Sequence, residues 1–405
     1  MQFPASFLFG TATAATQIEG GCTTSDWHAF ARRPGAIKHG DTPDVACDSW
    51  RRWPEDVALQ VSLGMGAYRM SIEWARVEPR PGEIDRVALD EYRKMLGALR
   101  DAGIEAMVTL HHFTLPAWLA DRGGVLADGF AERLARLARV ATDALGDLCR
   151  LWITVNEPNI LAAHAYLLGV WPPARKSPRL AWQAQRRLLD AHDAAYRAIK
   201  DSRGDAAQVG VAHHLRAVEP ERAGSSRDRA AAGVFRRVFN DSFASAACKH
   251  GTQDFLGINY YSRDVVRFSP RHAGELFVKR GVPAGAPVSD LGWEIYPEGL
   301  GRVVRAWARR SGLPVYVTEN GIADARDDKR AGFIVDHLAE LARAIGDGVD
   351  VRGYFHWSLL DNFEWAEGYE PRFGLVRMDY ATGARHPRDS ARVYARIARD
   401  RRVEA

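Results

Sequence analysis

At 405 residues and 45.0 kDa the chain is long enough for two or three average domains, or for one large α/β barrel with extended loops. With 46% hydrophobic and 10% aromatic residues, including 12 tryptophans, the composition excludes long disorder and supplies a large core with rings to spare for ligand stacking. The 55 basic and 51 acidic side chains leave a net charge of only +4 with no block of like charge, so nucleic-acid binding has no electrostatic footprint.

The amino terminus has no basic start and reaches Pro4 too early for a secretory h-region, and no apolar run is long enough to span a bilayer. The expectation is a soluble, cytoplasmic protein with no membrane partner. Cys22, Cys47, Cys149 and Cys248 are scattered, none in a CxxC spacing, and read as reduced structural cysteines. Nothing in the sequence sets an oligomeric state.

In chain order, short β-prone runs alternate with longer helical patterns. The strand candidates are Leu8–Thr13, Ala67–Ile72, Ala106–His111, Leu151–Val155, Val209–His213, Phe255–Tyr261, Val315–Thr318 and Gly353–Ser358. Between them Val87–Ala102, Phe130–Leu145, Leu180–Lys200, Gly299–Ser311 and Ala331–Ile345 carry apolar residues at helical spacing. Eight such strands predict an α/β fold, a single (β/α)8 TIM barrel with extended βα loops spanning 1–405. A doubly wound sheet is the competitor, but the first strand runs into Thr13–Gly20 with no G-x-G-x-x-G turn. Two long connections, Arg216–Asp254 and Ser262–Pro297, should shape the mouth. The first turns helical near Ala230–Cys248; the second holds the β-prone runs Val265–Phe268 and Leu276–Lys279.

Polar and aromatic residues gather where the strands should end. Gln17 follows the first strand, Arg69 lies within the second and His111 ends the third. Asn156 and Glu157 end the fourth, Tyr261 the sixth, Glu319 the seventh and Trp357 the eighth. Any one of these reads equally well as a satisfied rim residue; the whole set, spread over seven strands, does not. With strands four and seven expected on opposite sides of the barrel, Glu157 and Glu319 would face one another as the carboxyl pair of glycoside hydrolysis. Arg69, in an apolar strand, needs an anion, and the Tyr261 phenol is placed to serve the same one, so Glu319 is expected to stay ionised and Glu157 to hold the proton. Glu364, amid aromatic neighbours, is costly to bury without a role.

The chain resembles the family-1 glycoside hydrolases, the β-glucosidase and β-galactosidase family, over nearly its whole length. The resemblance rests on Phe3-Pro4, Phe9–Ala15, Gln17–Gly20, Tyr68-Arg69 to Trp74, His111, Asn156-Glu157-Pro158, Asn259-Tyr260-Tyr261, Glu319-Asn320-Gly321 and Trp357–Trp365, in family order. It implies a retaining β-glycosidase acting on terminal β-D-glucosyl residues, with β-galactosyl and β-fucosyl also accepted, in small glycosides or short oligosaccharides and without a cofactor. Glu157 would be the acid/base, Glu319 the nucleophile and Asn156 the donor to the sugar 2-hydroxyl. Gln17, His111, Glu364 and Trp365 would bind the other hydroxyls, with Trp357 beneath the ring, Phe373 a wall and Trp293 the platform for the leaving group.

Glu364, with no lysine after it, favours a non-phosphorylated sugar, and a glutamate rather than glutamine at 157 favours an O-glycosidase. The chain is shorter than most members, with the deficit before Asp254; His112 and Thr16 replace residues that are often aromatic. Transglycosylation through the same intermediate and a non-catalytic sugar-binding protein are the alternatives. A metal hydrolase built on His111-His112 or His213-His214 is disfavoured, because adjacent strand residues face opposite ways.

Overall fold

The computed structural model describes residues 1–404, and for 273–275 the backbone alone. Eight parallel strands close into a barrel in chain order: β1 (Leu8–Ala12), β2 (Ala67–Ser71), β3 (Glu105–His111), β4 (Leu151–Asn156), β5 (Gln208–His214), β6 (Phe255–Asn259), β7 (Val315–Asn320) and β8 (Val351–Trp357), with β8 pairing back onto β1. All eight expected strands lie on these, with ends displaced by at most two residues, the usual imprecision of element boundaries.

A helix follows each strand: α1 (Ser49–Ser62), α2 (Arg86–Asp101), α3 (Phe130–Leu145), α4 (Pro178–Arg203), α5 (Ser242–His250), α6 (Pro297–Ser311), α7 (Arg330–Gly346) and α8 (Asp389–Asp400). Their starts follow local chemistry. Asp85 accepts from the Ala88 amide at α2, and Ser177 accepts from the Leu180 amide at α4, where Pro178 takes the first helical position. In α3, Phe130, Leu134, Leu137, Ala138, Ala141 and Leu145 form the buried stripe that packs on the barrel. Among the described residues no helix is long and apolar enough to cross a membrane.

Alternate strand residues separate two cores. Ala12, Ala67, Met107, Leu151, Ile153, Phe255, Tyr316 and Phe355 fill the barrel interior, where the Phe255 and Tyr316 rings meet edge-on at 5.1 Å. The opposite faces join the helices in a larger outer core. Filling the lower interior leaves the carboxyl ends of the strands as the open face.

Two expectations change here. β4 and β7 are not opposite: β5 and β6 separate them on one side and four strands on the other, so Glu157 and Glu319 approach across a chord, because in an eight-membered ring the partner opposite β4 is β8. The run Leu276–Lys279 becomes a strand only at Val278–Gly281, since Leu276 and Phe277 take left-handed φ values of 62° and 59°. That strand pairs with Arg263–Phe268, which also pairs with Ala217–Pro220, so the two long connections meet in one three-stranded sheet at the mouth. The helix Ser226–Arg236 covers it through Ala231, Ala232 and Phe235, which pack on Val266 and Val278.

After β8 the chain folds back over the open end and carries Glu364, Trp365 and Phe373. Buried Asp361 ties this segment down, accepting from Arg388 Nη2 at 2.8 Å and from the Gly374 amide at 2.9 Å. Gly321 has no room for a side chain: a Cβ there would lie 1.8 Å from the Trp357 carbonyl oxygen, so this close approach of β7 to β8 sets both Glu319 and Trp357.

Candidate active site

Glu319, one residue before the end of β7, lies against the buried guanidinium of Arg69 in β2. Arg69 Nη1 donates to Glu319 Oε1 at 2.5 Å and to the Thr318 carbonyl at 3.1 Å. Its Nη2 donates to Asn156 Oδ1 at 2.6 Å, and its Nε to Thr109 Oγ1 at 3.3 Å. The Tyr261 hydroxyl donates to the second oxygen of Glu319 at 2.6 Å. Glu319 therefore has a charged donor on one oxygen and a phenol on the other.

Glu157 follows β4 with left-handed φ and ψ of 41° and 61°, as the cap of the short helix begun by Pro158. Its Oε1 accepts from Asn259 Nδ2 at 2.8 Å and faces His214 Nδ1 at 2.9 Å. The protonation of His214 is set from behind. Arg216 Nε lies 2.9 Å from His214 Nε2, and a guanidinium has only donors, so Nε2 must be the acceptor and Nδ1 carries the hydrogen donated to Glu157. His214 is thus a neutral imidazole, stacked on Tyr261 with ring centres 5.9 Å apart. With two donors on Oε1, a proton on Glu157 belongs on Oε2.

Burial pushes the Glu319 carboxyl up, to about 7, against the pull of Arg69 and with the Glu157 charge adding to the rise. Burial also disfavours the Glu157 anion; a cationic His214 would outweigh it and hold Glu157 below the usual range. The bond from Arg216 forbids that cation. The neutral tautomer leaves Arg69 as the decisive charge, and Arg69 touches Glu319 rather than Glu157. The two carboxyls thus have unequal surroundings, Glu319 against a buried cation and Glu157 against neutral donors.

Both carboxylates open into a cavity of about 710 Å³. Gln17, Asn156, Glu157, Tyr261, Trp293, Glu319, Trp357, Glu364, Trp365 and Phe373 line it as expected from the sequence. Arg69 lies behind the wall, fully buried, and acts through Glu319 and Asn156. His111 does not reach the cavity: it packs edge-on against Trp74 and Phe130 at 6.5 and 6.1 Å, and burial pushes its imidazole down to about 4. His112 takes its place. It stacks between 6.0 and 6.1 Å from Trp357 and Trp365, and its Nε2 accepts from Asn156 Nδ2 at 3.2 Å.

The cavity holds polar groups with no protein partner. Gln17 Nε2 donates to Asn362 Oδ1 at 2.8 Å and to the Phe363 carbonyl at 2.9 Å, which leaves buried Oε1 as an unmet acceptor. His112 Nδ1, the protonated nitrogen of its tautomer, is an unmet donor. Burial raises Glu364 to about 8, and the Trp357 indole donates to it at 3.2 Å. Unmet donors and acceptors beside flat tryptophans match a polyol ring with an apolar C–H face.

Asn259, His214, Arg216 and His112 were not assigned site roles from the sequence. Strand parity points the wrong way here: Met107 and Thr109 face the barrel interior, so strict alternation would put His111 inside, and the alternation breaks at the end of β3. Asn259 lies within the quoted Asn259-Tyr260-Tyr261 run, but nothing in the chain links it to Glu157. His214 and Arg216 have no signal beyond lying at the end of β5.

The glycosyl hydrolase family 1 model matches residues 1–252 and 242–403. Beta-glucosidase A of Thermotoga maritima is 36% identical, covering 100% of this chain and 99% of its own length, and a beta-galactosidase of Sulfolobus acidocaldarius is 32% identical over 98% and 95%. The structure of the T. maritima beta-glucosidase in complex with glucoimidazole superposes with a TM-score of 0.94 at 34% identity, over 99% of each chain. The chain belongs to glycosyl hydrolase family 1. It is an O-glycosyl hydrolase of the β-glucosidase type.

The His214 tautomer is directly measurable. Two-bond 1H–15N correlation spectra of 15N-histidine-labelled protein near neutral pH should show His214 protonated at Nδ1 and bare at Nε2, a pattern that Arg216→Met releases. A proton on Nε2 of the native protein would contradict the assigned hydrogen-bond direction.

Proposed function

We propose that the protein is a retaining β-glycosidase that removes terminal non-reducing β-D-glucosyl residues, and β-galactosyl or β-fucosyl residues, from small glycosides or short oligosaccharides. The observation that carries this reading is the unequal setting of two carboxyls in one cavity: Glu319 on a buried cation, Glu157 on two neutral donors that leave Oε2 open. The ligands of the T. maritima structures, glucoimidazole and galacto-hydroximolactam, support gluco and galacto rings in such a site. The four free cysteines support a cytoplasmic location, and the continuous barrel supports 1–405 as one catalytic domain.

Glu319 attacks the anomeric carbon as the glycosidic bond breaks, and the Glu157 Oε2 proton passes to the departing oxygen. Once Glu319 is esterified its charge is gone, Glu157 is an anion with two donors on Oε1, and it takes a proton from the water that attacks the glycosyl-enzyme. The water oxygen bonds the anomeric carbon, the ester bond breaks, and Glu319 returns as carboxylate beside Arg69. Asn156, fixed through Oδ1 by Arg69 and Asn259, gives one amide hydrogen to His112 and turns the other toward the ring. Gln17, His112, Glu364 and the Trp365 indole N–H meet the remaining hydroxyls, Trp357 forms the apolar floor, Phe373 is a wall and Trp293 receives the leaving group.

Initial rates on p-nitrophenyl β-glucoside, β-galactoside and β-fucoside test this reading. Glu319→Gln should lower the rate roughly a thousandfold or more. Glu157→Gln should slow alkyl glycosides far more than activated aryl ones, because only a poor leaving group needs the proton. Near-native turnover by the first variant, or equal losses on both substrate types in the second, would reject these roles.

Arg69 pulls the Glu319 carboxyl down against burial, so removing its charge lets that carboxyl rise. Since the nucleophile must be ionised, Arg69→Met should move the acid limb of kcat/KM to higher pH, and an unmoved limb would mean the ion pair does not control Glu319.

A further inference from the structure

Beyond Trp293 the cavity adjoins a second one of about 440 Å³, which shares Arg216, Tyr261 and Trp293 with it. Its outer wall is the three-stranded sheet at the mouth, which contributes Arg263 and Asp264 from one strand and Lys279 and Arg280 from the next. The volume suits a single small ring with its substituents.

Its cations are unequally paired. Arg263 is neutralised, bound to both oxygens of Glu294 at 2.7 and 2.8 Å and to Glu219 at 2.6 Å. Arg216 and Arg280 instead share one carboxylate, Asp264, at 3.3 and 3.6 Å, longer than the roughly 2.7–2.9 Å of a tight charged hydrogen bond. Lys279 is exposed and has no ion pair among the described residues. Among the described residues three cations thus face the groove with one carboxylate between them.

The two arginines are also held in place. The Arg216 guanidinium lies over the Phe239 ring at 5.4 Å and that of Arg280 over Phe235 at 5.6 Å, while the two phenyl rings stack on each other at 5.4 Å with 7° between their planes. Asp264 joins the two guanidiniums from the other side. Side chains ordered before a ligand arrives lose little freedom on binding it. The groove also begins at the catalytic machinery, since Arg216 reaches Glu157 through His214 by two hydrogen bonds of 2.9 Å.

We propose that this groove is a leaving-group site selective for β-glycosides whose aglycone carries a carboxylate, bound by Arg216, Lys279 and Arg280. The proposal rests on the glycosidase reading and adds the chemical class of the aglycone. A planar monoanion suits paired guanidiniums, and Asp264 between them disfavours a more highly charged group.

The β-glucosides of 4-hydroxybenzoate and 4-hydroxybenzamide are closely matched in shape and differ in charge at the far end of the ring. In the native enzyme kcat/KM should favour the benzoate about tenfold, mainly through KM, with the preference shrinking as salt is added. In a Lys279→Gln, Arg280→Gln double variant the ratio should fall toward one. A native ratio near one, or an unaltered ratio in the double variant, would overturn the proposal. Calorimetric binding of the same pair reads the groove without turnover. Tighter binding of the benzoate glucoside with no cleavage of either compound would sustain the groove while rejecting the glycosidase reading, and equal binding would reject the groove.

Discussion

The site is organised by a cation with no access to water. Taking the Arg69 guanidinium out of solvent costs several kcal/mol unless its donors are met, and β3, β4 and β7 each bring an acceptor to it: Thr109, Asn156, and Thr318 with Glu319. Meeting that demand fixes the groups that face the cavity. Glu319 is pinned through Oε1, and Asn156 is pinned through Oδ1 so that its amide nitrogen turns to His112. Asn259 extends the network from Asn156 Oδ1 to Glu157 Oε1 and accepts from Thr318 Oγ1 at 2.6 Å. Loss of any acceptor would leave a buried charge short of partners, so the geometry around the anomeric position is stiff.

Two glutamates in one pocket acquire different chemistry from their neighbours rather than from their own structure. Glu319 meets a full positive charge; Glu157 meets an amide and a neutral imidazole. The left-handed backbone of Glu157, which costs on the order of 1–3 kcal/mol for a residue with a side chain, turns the carboxyl back over the barrel mouth as the chain leaves β4 for Pro158. Arg216 contributes twice. Through Nε it holds His214 in the tautomer that donates to Glu157, and through its charge it opens the basic groove, so the setting of Glu157 and the groove depend on one side chain.

The barrel was legible because parallel strands buried on both faces read as short apolar runs separated by amphipathic helices, and every run had one partner in the ring. Six cavity residues, Gln17, Asn156, Glu157, Tyr261, Glu319 and Trp357, were legible at strand ends, and Trp293, Glu364, Trp365 and Phe373 through the family resemblance. His111 was misplaced for a local reason: strand alternation breaks at the end of β3, and two consecutive histidines give composition nothing to choose between. The strand Ala217–Pro220 was illegible because it forms by pairing with Arg263–Phe268, which lies in the next connection. His214 and Arg216 were illegible for the same reason. Their meaning depends on Glu157, Asp264 and Phe239 converging from separate segments, and no short pattern in the chain encodes that.

The central claim is a covalent glycosyl-enzyme on Glu319, and its stereochemical consequence appears in the first turnovers. Proton NMR of an aryl β-glucoside digest, followed before mutarotation, should show the β-anomer of the free sugar appearing first and the α-anomer only later, as two successive displacements require. First appearance of the α-anomer would mean that water attacks directly, and would remove Glu319 from the role of nucleophile.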